Sequence, residues 1–94
     1  MRKNRSLPAP MHTVQVRFFA SLREALGPAA TVELPAGTTV AQLRAALAAR
    51  GGRHAEVLAP GRAVRCALNQ VMADESAVIG EGAEVAFFPP VTGG

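Results

Sequence analysis

The chain has 94 residues, 49% of them hydrophobic and 18% charged, with four Phe, no Trp, no Tyr and one Cys, which bounds it to one small domain with a single core and no internal disulfide framework. Its formal net charge of +3 resides in Arg2, Lys3 and Arg5; the remaining seven Arg meet seven Asp plus Glu, so no nucleic-acid partner is expected from a domain without a basic face or stacking platforms. No apolar stretch approaches the ~20 residues that span a bilayer, and no apolar signal core follows the basic N-terminus, which points to a soluble, cytoplasmic protein with no membrane partner.

Residues 1–11, MRKNRSLPAPM, are polar, basic and proline-bearing. They are expected to form a disordered extension ahead of a domain spanning 12–94. Thr13 to Phe19 alternates, with Val14, Val16 and Phe18 on one side and Thr13, Gln15, Arg17 and Phe19 on the other; this predicts a half-buried strand. Ser21 and Glu24 have capping-box spacing. Leu22, Ala25 and Leu26 supply a short helix that Gly27 closes and Pro28 ends. Thr31 to Leu34 reads as a second strand and Pro35-Ala36-Gly37-Thr38 as a turn. Thr39 and Gln42 form a second capping box. Val40, Leu43 and Leu47 then recur on one face of the main helix, which ends near Arg50 before Gly51-Gly52.

Gly52 to Gly61 reads as irregular, with one turn around Ala55 to Leu58. Ala63 to Leu68 is a third strand, Asn69-Gln70 a turn, Val71 to Ala73 a short fourth strand and Ala83 to Phe88 the closing strand. The expected class is α+β. One main helix packed across a four- or five-stranded mixed sheet is the economical two-layer solution.

The sequence closes on Gly93-Gly94, preceded by Phe87-Phe88-Pro89-Pro90-Val91-Thr92. A carboxylate on two glycines has no side chain near its reacting carbon and passes through a tunnel that a Cβ would block. Pro89 and Pro90 stiffen the exit from the last strand. The pattern reads as a flexible tail that is itself the reagent, activated inside another protein; the alternative is a frayed glycine-rich terminus. From Phe88 to Gly94 the tail reaches roughly 20 Å when extended. Ordering it costs on the order of 1–2 kcal/mol per residue, so the body must dock through apolar contact.

Alternation indicates where. Val85 and Phe87 face the core, and Phe88 faces the other way with Glu84 and Ala86. Phe19 points outward beside Arg17. Two outward aromatics on separate strands make an exposed apolar patch of the kind that marks partner sites; the alternative is a peripheral mini-core under a loop. Other candidates are bland. Cys66, in the apolar run Ala63 to Leu68, reads as a buried structural thiol. His12 and His54 lack ligand spacing with Cys66 or the acids, so no metal is expected. Asp74-Glu75 reads as a solvated turn, and Gly51-Gly52 lacks the Lys-Ser/Thr of a phosphate loop. Arg17, Arg23 and Arg65 read as surface charges, available to acids on a partner. No nucleophile–base constellation is present.

The run from Glu84 to Gly94 resembles the C-terminus of the small subunits of molybdopterin synthase, the MoaD sulfur-carrier family. Val16-Arg17-Phe18-Phe19-Ala20, Leu22-Arg23-Glu24, Gly27, the Thr39 to Leu47 helix and Ala67-Leu68-Asn69-Gln70 match as well. The resemblance covers about residues 12–94. It implies a β-grasp, ubiquitin-like fold and a non-catalytic subunit that binds no cofactor and carries sulfur as a C-terminal thiocarboxylate. Gly94 would be the reacting residue and Gly93 its slim link. A ubiquitin-activating-type enzyme would adenylate Gly94 with ATP, and a sulfurtransferase or desulfurase would donate the sulfur. The large synthase subunit would then receive the tail, in an assembly of two small and two large subunits, and the sulfur would pass to the cyclic pyranopterin monophosphate precursor to build the molybdopterin dithiolene. The family also has an apolar interface position at Met72, which gives a patch of Phe19, Met72 and Phe88, with Pro89, Pro90, Val91 and Thr92 entering the partner. Gly-Gly alone is shared with thiamine sulfur carriers and ubiquitin-like protein modifiers, which stand as the alternatives.

Overall fold

The computed structural model describes residues 10–90. Residues 1–9, and with them most of the basic extension, lie outside the described residues, as do Val91, Thr92, Gly93 and Gly94. Five strands, β1 (Met11–Phe18), β2 (Ala29–Pro35), β3 (Arg65–Leu68), β4 (Val71–Ala73) and β5 (Glu84–Phe88), and three helices, α1 (Ala20–Leu26), α2 (Val40–Ala48) and α3 (Gly52–Leu58), make up the fold. The strands form one mixed sheet in the order β2-β1-β5-β3-β4. β1 runs antiparallel to β2 and parallel to β5, with Val16 in register with Val85 and Phe18 with Phe87. β5 runs antiparallel to β3, and β3 antiparallel to β4. This is the ubiquitin-like β-grasp expected above.

The alternation in β1 is realised: Val14, Val16 and Phe18 are buried while Thr13, Gln15 and Arg17 are exposed. Val32, Leu34, Cys66, Val85 and Phe87 complete the inner face of the sheet, and Leu22, Val40, Leu43, Leu47 and Leu58 from the three helices close over it. The rings of Phe18 and Phe87 stack with centroids 6.3 Å apart, so the parallel pair carries the largest side chains of the core. Offset stacking of this kind adds to burial about 0.5–1.5 kcal/mol.

The two capping boxes fare differently. At α2 the Thr39 hydroxyl accepts from the Gln42 N–H at 3.2 Å, and the Thr39 N–H donates to Gln42 Oε1 at 2.9 Å. The Ser21–Glu24 box does not form. α1 begins at Ala20, whose φ is +54°, and its N-cap is Phe19, with no side-chain cap. Ser21 therefore sits inside the first turn, where its hydroxyl is out of place for capping. Strand ends also move. β1 opens at Met11, and the Pro10 carbonyl accepts from the Ala36 N–H at 2.8 Å. The segment read as irregular contains α3. Its start is set by Gly51 and Gly52, with φ of +78° and +56°, a left-handed entry that suits glycine. Only Val57 and Leu58 are long and apolar in that stretch, too few to show a helical period.

A second departure is polar. Arg44, on α2, is buried, with 7% of its surface exposed. Its Nε donates to the Leu58 carbonyl at 2.8 Å, and its Nη2 donates to the carbonyls of Ala59 at 2.6 Å and Arg62 at 2.7 Å. Its Nη1 meets Glu75 Oε2 at 2.6 Å. Asp74-Glu75 is thus not merely a solvated turn, because Glu75 neutralises the guanidinium. The planar fork satisfies carbonyls that the end of α3 would otherwise leave orphaned.

Three substitutions test these contacts, all read by urea unfolding. Thr39→Ala should cost about 1 kcal/mol, while Ser21→Ala should stay within about 0.5 kcal/mol. Arg44→Met should cost about 3 kcal/mol, because it strands Glu75 and three carbonyls.

Candidate functional site

The candidate site lies on the sheet face opposite the helices, at the end where β5 stops. β5 lies in the middle of the sheet, between β1 and β3. Val85 and Phe87 are fully buried on the helix side, so Glu84, Ala86 and Phe88 face the open side, as the alternation predicts. Phe88 and Glu84 are half-buried. Ala86 is only 8% exposed; the register sets this small side chain between Arg17 and Ala67 on the flanking strands, which shade it.

Phe19 falls just past β1 instead of inside it. Its backbone is extended, with φ −127° and ψ 156°, and its N–H donates to the Phe87 carbonyl at 3.1 Å. That bond prolongs the β1–β5 ladder by one step and brings Phe19 alongside Phe88. Phe19 remains 42% exposed. The left-handed Ala20 that follows turns the chain into α1, a conformation that costs a non-glycine residue about 1–2 kcal/mol.

Met72 is 55% exposed and pairs with Ala67, which is in register with Ala86. Phe19, Met72 and Phe88 therefore lie on one face, linked through Ala86 and Ala67. The Asn69-Gln70 turn stands at the other end of β3, and both residues have positive φ, +52° and +69°, as a two-residue type I′ hairpin requires. Asn69 has a use beyond the turn: its Oδ1 accepts from the Glu84 N–H at 3.0 Å, and its own N–H donates to the Glu84 carbonyl at 2.8 Å. Asn69 thus pins the hairpin to the start of β5. The Asn in the turn was visible in sequence; its grip on β5 was not, because that pairing is long-range.

Beyond Phe88, Pro89 and Pro90 are half-buried. Pro89 borders a cavity of about 430 Å³ together with Leu22, Val57, Arg62 and Val64. The root of the tail thus runs past a groove between α1 and the α3–β3 connection. Val91, Thr92, Gly93 and Gly94, the other expected site residues, lie outside the described residues.

The remaining chemistry-bearing groups stand apart from this face. Cys66 is buried, and its thiol donates to the Ala73 carbonyl at 3.2 Å. Burial, reinforced by the carboxylates of Glu75 and Asp74, pushes the thiol pKa up, which keeps it protonated and unreactive. Among the described residues no three His, Cys, Asp or Glu side chains gather as a metal site. No helix there is long and apolar enough to cross a membrane.

Comparison with known proteins places the sequence and the fold. The ThiS family pattern matches residues 16–94. The molybdopterin synthase sulfur carrier subunit of Escherichia coli is 42% identical over 81 residues, which cover 86% of this chain and 99% of that one. Among solved structures, a putative molybdopterin converting factor subunit 1 from Pyrococcus furiosus superposes with a TM-score of 0.71 at 26% identity, over 85% of this chain and 99% of that one. Subunit 1 or 2 in the complex of the two subunits of the Helicobacter pylori molybdopterin-converting factor matches with a TM-score of 0.62 at 25% identity, over 87% of this chain and 99% of the matched chain. The chain therefore belongs to the ThiS family and, within it, groups with the molybdopterin synthase sulfur carrier subunits.

Proposed function

We propose that this chain is the sulfur-carrier small subunit of a cytoplasmic molybdopterin synthase. The observation that carries the reading is the placement of Phe88. It ends the central strand on the open face, beside Phe19, and the next residues begin the segment that closes on Gly93-Gly94. A body that docks through this face delivers the tail into its partner. The near-full-length likeness to a sulfur carrier subunit of that enzyme supports the same assignment.

In the proposed cycle the Gly94 carboxylate attacks the α-phosphorus of ATP in a ubiquitin-activating-type enzyme, and pyrophosphate leaves. The terminal sulfur of a persulfide on a sulfurtransferase or desulfurase then attacks the acyl adenylate carbon and expels AMP. A second thiol cleaves the resulting acyl disulfide at its distal sulfur, which frees the thiocarboxylate and leaves a disulfide on the donor side. Docked on the large subunit, the thiocarboxylate sulfur attacks a side-chain carbon of the cyclic pyranopterin monophosphate precursor and displaces an oxygen substituent there, which leaves as the opened phosphate ester in one transfer and as water in the other. Hydrolysis of the thioester regenerates the Gly94 carboxylate. Two such transfers build one dithiolene, in keeping with an assembly of two small and two large subunits. The chain supplies the docking face, the reach and the carboxylate, and the partners supply the catalytic groups.

Reconstitution with the large subunit tests this. Phe88→Arg should abolish the complex on size exclusion while the melting midpoint stays within a few degrees of the parent; a variant that unfolds would make Phe88 a core residue. Removal of Gly93-Gly94 should leave the complex intact and eliminate product, whereas retained activity would mean the tail is inert.

A further inference from the structure

The groove beside Pro89 lies in line with β5. The β3–β5 register ends at Arg65 opposite Phe88. Carried one step further it sets Val64 opposite Pro89, and both of these border the cavity of about 430 Å³. Residues paired across adjacent strands point to the same side of a sheet, and the side alternates along each strand. Val64 and Pro89 thus continue the side taken by Cys66 and Phe87, which are buried under the helices. Two residues on, the same register sets position 91 opposite Arg62, another residue that borders the cavity. A tail that keeps the pleat past Pro90 would therefore turn Val91 toward the groove.

The walls of the groove suit a side chain and not another strand. Leu22 of α1 forms one wall, and Val57 of α3 with Val64 forms the other. The loop between them is held in place, because the carbonyls of Ala59 and Arg62 accept from Arg44 Nη2 and the Arg62 N–H donates to the Ala59 carbonyl at 2.9 Å. With both backbone groups of Arg62 engaged, and no N–H on Pro89 or Pro90, the β3–β5 ladder has no ready bonds to extend. An apolar side chain still gains by entering. Val91 stands one residue past Pro90, so its local concentration at the groove far exceeds that of any separate molecule. Being β-branched, it also has little rotamer freedom to lose there. We infer that the groove of Leu22, Val57 and Val64 is the resting seat of Val91, which straps the start of the tail to the body of the free chain. The inference concerns the chain alone. It adds to the proposed function that a partner must draw Val91 out of this seat before the glycines can enter it.

The test is nuclear magnetic resonance of the full labelled chain alone, at two concentrations roughly tenfold apart. Methyl cross-peaks should join Val91 to Leu22, Val57 or Val64, and the Val91 amide should show an order parameter above about 0.6, the value below which backbone is flexible. Val57→Asp should abolish the cross-peaks and drop the Val91 order parameter to that of Gly93. Val91→Asp leaves the sequence of the body intact; it should loosen Thr92 to the same degree, and it decides the matter if Val57→Asp unfolds. A parent chain whose Val91 is as mobile as Gly93, with no cross-peaks to the groove, would overturn the seat while leaving sulfur carriage standing. Cross-peaks that fade on dilution would assign the groove to the tail of a second copy and overturn it too.

Discussion

The parallel pairing of the first and last strands is the constraint on which the rest of the molecule depends. Parallel neighbours cannot be joined by a tight turn, so the chain between them must cross over. Here the crossover carries the three helices of the described residues, and the core cluster shows that they close on one face. The stacked Phe18 and Phe87 lock that pair from the core side. On the other side the same pairing puts Phe19 beside Phe88 through the Phe19 N–H bond to Phe87. A tail that left from an edge strand would hang on a single neighbour. Here the last strand is held on both sides, so Pro89 and Pro90 follow directly from the middle of the sheet.

Arg44 plays a complementary part. A buried guanidinium is costly to desolvate, and its value lies in complete satisfaction. Three backbone carbonyls and Glu75 provide it. One of those carbonyls belongs to Arg62, a residue that borders the cavity beside Pro89. The brace that closes the end of α3 therefore also shapes the ground past which the tail begins. Cys66, close to Glu75 and Asp74, is held neutral by burial and contributes packing and a hydrogen bond to the Ala73 carbonyl.

Much of this was legible in the residues, and the rest was hidden for identifiable reasons. Strict alternation in β1 showed which side chains enter the core, and in β5 the pleat alone separated Val85 and Phe87 from Phe88. The Thr39–Gln42 box was legible because both partners are local. Ser21–Glu24 has the same spacing and failed, since the left-handed Ala20 starts the helix before Ser21 can cap it. α3 was missed because its burial rests on Val57 and Leu58 alone. The Arg44–Glu75 pair spans 31 positions and leaves no local pattern. Phe19 was placed on the correct face for an incomplete reason, as a strand residue where it is a helix cap. The Gly-Gly tail gave the clearest functional signal through its chemistry, and the fold adds the central strand that presents it.

The central claim is that the Gly94 carboxylate carries sulfur. The most direct test is to capture the chain through an N-terminal tag from its source cells, without crosslinking, and take intact masses of everything that elutes. The account predicts a noncovalent large synthase subunit and a fraction of this chain heavier by a single oxygen-to-sulfur exchange at Gly94. Isopeptide adducts on lysines of other proteins, with neither thiocarboxylate nor synthase partner, would contradict it and make the chain a protein modifier.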